Sequence, residues 1–147
     1  MTLARRTPLT IGLGALAVVL VGGGIAAAVT LSGNDSAPSD NQRIESAVRD
    51  FYGTLSTQGA SVAVNQTCAG DRAQYAALPD AQKKAMDDGK VVMKVDSVQS
   101  IAINGDRATA TTAGVLSLPG AQDDKRSTTE HLRKEDGTWK VCSSDAR

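Results

Sequence analysis

One stretch limits what this chain can become. Residues 9–31 contain only Leu, Thr, Ile, Gly, Ala and Val. As a helix these 23 residues would span about 34 Å, enough for a hydrocarbon core of roughly 30 Å. Backbone groups in lipid must bond internally, so a helix is the form expected for a single segment. Arg5 and Arg6 precede it, residues 7–34 are uncharged, and Asp35 and Asp40 follow. That asymmetry orients residues 1–8 to the cytoplasm and the rest of the chain outside, a single-pass cell-membrane protein. The alternative is a secretory signal cleaved after Ala26-Ala27-Ala28. The apolar stretch is longer than an ordinary signal core, which favours a retained anchor. Both readings export residues 32–147.

The exported part is mildly acidic. Beyond Arg5 and Arg6 there are 14 Lys+Arg against 16 Asp+Glu. No basic patch supports nucleic-acid binding. One His and two Cys exclude a multi-histidine or four-cysteine metal site, and Cys68, Cys142 and His131 lack a fourth ligand. No phosphate-binding glycine loop or calcium-loop spacing occurs, so no cofactor or metal is expected. Asn65-Gln66-Thr67 matches a glycosylation acceptor but falls within an expected helix.

Residues 32–42, SGNDSAPSDNQ, read as a linker. The folded domain then occupies 43–147. Ile44, Val48, Phe51 and Leu55 recur at helical spacing, with Asp40 or Asn41 as cap and Gly59 as terminator. A second helix is expected over 61–68, a short turn over 71–75 and a third helix over 79–88. From residue 90 the period changes to two. Strands are expected at 90–104, 107–118, 128–134 and 139–142. Asn104-Gly105-Asp106 and Glu135-Asp136-Gly137-Thr138 make the hairpin turns. Ser97 and Gln99 on the apolar parity of the first strand call for a bulge near Val98 or a locally polar face. Helices followed by strands argue an α+β domain, helices packed on one face of an antiparallel four-stranded sheet.

In an exported domain the even pair Cys68 and Cys142 reads as a disulfide. Cys142 has the opposite parity to Trp139 and Val141, so the bridge requires a twist at the strand end or an edge position.

The anchor, the linker, the helix 44–55, Cys68 and the closing run Glu135-Asp136-Gly137-Thr138-Trp139-Lys140-Val141-Cys142 together resemble a family. It is that of the exported nuclear-transport-factor-2-like domains of actinobacteria, often described as lumazine-binding-like. The resemblance covers about 100 residues. It implies a cone in which three helices and a curved sheet enclose a pocket. Phe51, Tyr52, Leu55, Tyr75 and Trp139 are the candidate pocket residues. It also implies pairing through the sheet, a homodimer. Helical angle turns Asp50 to solvent, and His131 alternates outward against Leu132. No catalytic residue is therefore assigned. The expected role is a non-enzymatic, membrane-tethered accessory domain, binding a protein partner of the cell envelope or a small apolar ligand. The alternatives are an isomerase- or dehydratase-type enzyme with its pocket in the cone, and a secreted antigen-like domain released near Ala28.

Overall fold

The computed structural model describes residues 37–89 and 91–146. The expected membrane segment and residues 32–36 of the expected linker lie outside the described residues. Among those described, no helix is long and apolar enough to cross a membrane.

Helix α1 (Asp40–Gln58) starts at the first of the two expected caps and takes in the end of the expected linker. Ser39 caps it: the Gln42 N–H donates to Ser39 Oγ, and the Ser39 N–H donates to the Gln42 side chain. Gly59, at φ 89°, closes the helix by donating its N–H to the Leu55 carbonyl. The second helix is shorter than expected. It is α2 (Ala60–Ala63), running into a 3-10 turn at Val64–Gln66. The short turn expected at 71–75 is a full helix, α3 (Ala69–Ala76). Helix α4 (Asp80–Asp88) follows Pro79. Among the described residues the helical half therefore has four α-helices, not three. The extra one forms because the Glu135 carboxylate, on a distant strand, accepts the free Ala69 N–H at 2.8 Å.

The strands β1 (Val92–Asn104), β2 (Arg107–Ser117), β3 (Asp124–Glu135) and β4 (Thr138–Val141) form one antiparallel sheet in the order β1-β2-β3-β4. The domain is α+β. Strand β3 begins earlier than expected, since Leu116 pairs with Asp124 across a shorter loop. The β1 register shifts twice, between Val95 and Ser97 and between Gln99 and Ala102, on either side of Val98. These bulges restore the apolar residues to one face. Between Glu135 and Thr138, Asp136 (φ 50°) and Gly137 (φ 77°) both take the left-handed conformation of a type I′ hairpin.

Helix α1 crosses one face of the sheet. Ile44 and Val48, fully buried, meet Ala108, Ala110, Leu132, Trp139 and Val141. Phe51, Tyr52, Val98 and Ile101 pack at the margin. The small side chains of β2 admit the helix close to the sheet, so this half of the interior is filled.

Candidate functional site

Cys68 and Cys142 are bonded, with Cα atoms 5.1 Å apart and no exposure. The parity conflict is resolved because Cys142 lies just past the end of β4, an edge strand. Its N–H donates to the His131 carbonyl, while the Cys68 N–H donates to Val141. Asp71 holds the following turn, accepting from the Ser143 and Ser144 amides at 2.7 and 2.8 Å. Asp71 and the two sulfurs lie within 4.8 Å of one another. The sulfurs are bonded to each other, so they offer no thiolate to a metal.

The polar groups nearest the sheet interior gather where α1 passes β3. Tyr52 donates its hydroxyl to Glu130 Oε1 at 2.7 Å, and Thr128 donates to the same oxygen at 2.8 Å. Burial, reinforced by that carboxylate, raises the Tyr52 pKa above its ordinary 10.0. The hydroxyl therefore serves as a donor. Thr112 stands opposite Thr128 in the register. It is fully buried, and its Oγ1 has no hydrogen-bond partner.

A wider feature lies outside the core. A shallow groove of about 890 Å³ runs along α1 beside the outer edge of β4. Arg43, Ala47, Thr54 and Gln66 line it, together with Thr138 and Lys140. Gln66 donates to Thr54 at 2.7 Å, and its own amide oxygen is buried without a partner. Asp50 is exposed and lines this groove.

Of the five candidate pocket residues, Trp139 lines this groove, and Phe51, Tyr52, Leu55 and Tyr75 do not. Phe51 and Tyr52 meet edge to face, centroids 5.2 Å apart. Trp139 is 3% exposed and fills the core, with Lys134 Nζ 5.5 Å from its ring centroid. Leu55 is half-buried at the end of α1. Tyr75 stands apart on α3, with Lys83 5.9 Å from its ring centroid and its hydroxyl buried without a partner. His131 is half-buried on the sheet face away from α1, beside Thr109. Sequence reasoning missed Glu130, Thr128 and Thr112. The available signal was Thr112 on the buried parity of β2, a polar residue in an otherwise apolar row.

No protein-family model matches the chain, and no curated protein sequence matches it.

Proposed function

We propose that this is a membrane-tethered, extracytoplasmic accessory domain of the nuclear-transport-factor-2-like kind, acting by binding at its surface. One observation carries the reading. The face of the sheet that would line a cone is closed by Ile44 and Val48 against Ala108 and Ala110, while the roomy groove lies outside along α1 and β4. A filled interior favours a protein partner over a small apolar ligand. The buried disulfide supports an oxidising compartment.

The test uses the full chain in intact cells, with a photo-crosslinking residue at Thr138. The expected result is a carbonate-resistant membrane protein, digested by external protease and crosslinked to one envelope protein. Recovery in the medium with Val29 first overturns the tether. Absence of any crosslink at Thr138 removes the groove from the proposal.

A second reading, an enzyme, is favoured by the Tyr52–Glu130 pair. It predicts that Glu130→Gln abolishes function while leaving stability and partner crosslinking intact. The binding reading predicts no such loss.

A further inference from the structure

Twelve Lys and Arg side chains lie among the described residues. Nine of them make an ion pair: Arg43, Arg49, Arg72, Lys83, Lys84, Arg126, Arg133, Lys134 and Lys140. The three that make none with another described residue are Lys94, Arg107 and Lys125. All three are exposed, and all three point from the sheet face opposite α1. Their parity fixes this. Met93, Ala108 and Leu132 are buried on the α1 side, and each cation alternates against that set.

The carboxylates that reach this face from its turns are already engaged: Asp123 accepts the Ser117 hydroxyl at 2.6 Å, and Asp106 acts on Arg133. No carboxylate occupies a paired position of it on β1 or β2. On β3, Glu135 does, and it is held by the Ala69 amide, Arg72 and Lys140. Asp145, which packs there from the terminal turn, is bonded to Arg133. The other positions are mostly Thr, Ser and Ala, including Thr109, Thr111, Ala113, Ser127 and Thr129.

The spacing selects a flat partner. Lys94 and Lys125 flank Val115 in one cross-strand row, about 10 Å apart, while Arg107 lies roughly 27 Å along the strand. Three unpaired cations that far apart do not converge on one small anion. They match a plane of spaced negative charges. The sequence also limits where the domain can go. Only residues 32–36 separate the apolar segment from Ala37, and they reach about 20 Å at most.

We infer that this sheet face docks on an anionic lipid surface through Lys94, Arg107 and Lys125. The inference rests on the tether proposed above for its geometry. Each cation near such a surface contributes about fivefold in affinity, and the three together roughly a hundredfold.

The test reconstitutes the full chain in vesicles and follows lysine acetylation by mass spectrometry, with Lys84 as internal reference. In vesicles containing about 30% phosphatidylglycerol, Lys94 and Lys125 are expected to react at least about fivefold more slowly than in phosphatidylcholine vesicles. Lys84 should be unchanged, and about 0.5 M salt should remove the protection. Flotation at high salt reports the tether separately. A chain that floats yet shows Lys94 and Lys125 as reactive as Lys84 overturns the face and leaves the tether standing. A chain that floats only at low salt on anionic vesicles, and not as the Lys94→Gln/Arg107→Gln/Lys125→Gln variant, upholds the face and removes the tether. Flotation in neither condition overturns both. Protection that persists in detergent and grows with protein concentration marks a second copy as the occupant and overturns the lipid.

Discussion

Ala110 has 1% exposure and lies in the cluster that Ile44 and Val48 close. A methyl group there is what allows α1 its close approach. Ala110→Leu forces several extra heavy atoms into a filled space and is expected to destabilise by about 1–3 kcal/mol. Ala102→Leu, on the exposed opposite face, should stay within about 0.5 kcal/mol. Denaturant midpoints of the two variants measure the contrast. Gly114 is a more severe case of the same crowding, since a Cβ there would meet the Lys94 carbonyl across the ladder. The pattern of small residues on β2 was legible in the sequence; whether it left a hollow or admitted a helix was not. The answer depends on how deeply Ile44 and Val48 reach, which is a property of two elements together.

At the scale of elements, the helix–strand order, both hairpin turns and the α1 stripe were readable because each rests on local periodicity or turn chemistry. The α1 cap was local too, but it fell on Ser39, just ahead of the residues assigned. Helix α3 was not readable, because its N-terminus is satisfied by Glu135, 66 positions away. The early half of β3 was hidden because Asp124, Arg126 and Thr128 give no apolar alternation on the α1 side. Pairing with β2 carries that half. The Tyr52–Glu130 contact, 78 positions apart, was hidden for the same reason. Glu135 also gives a pH test. The Ala69 amide first, then Lys140 and Arg72, hold its pKa below the ordinary 4.5. Unfolded, it takes up its proton near 4.5; folded, it does so only at lower pH. Its contribution is therefore complete above pH 4.5 and is lost as pH falls through the folded value. Asp40, lowered first by its hydrogen bond to Lys134, adds to the same slope below its ordinary 3.8. Stability measured from pH 6 down to 3 should fall less steeply in Glu135→Gln than in the parent.

For the molecule as a whole, the disulfide joins positions 74 apart. Loop-closure entropy assigns such a bridge about 4 kcal/mol as an upper figure. Replacing both cysteines, Cys68→Ala with Cys142→Ala, is expected to lower the unfolding free energy by up to that amount. A guanidinium titration of the double variant reads it, and an unchanged midpoint would show the bridge idle. The pairing of these cysteines was legible from their even number and the expectation of export. Its geometry was not, because the strand ends one residue earlier than expected.

The same bridge has a consequence for proteolysis. Its covalent ring contains α3, α4 and the whole sheet, while α1 lies outside it. A protease that cuts the exposed loop at 118–123 opens the ring without freeing either piece. The two fragments stay joined until a reductant arrives. A cut before Ser39 leaves the capped helix and the ring together and detaches both from whatever precedes them. One chain thus has a site where cleavage goes unnoticed and a site where it means release.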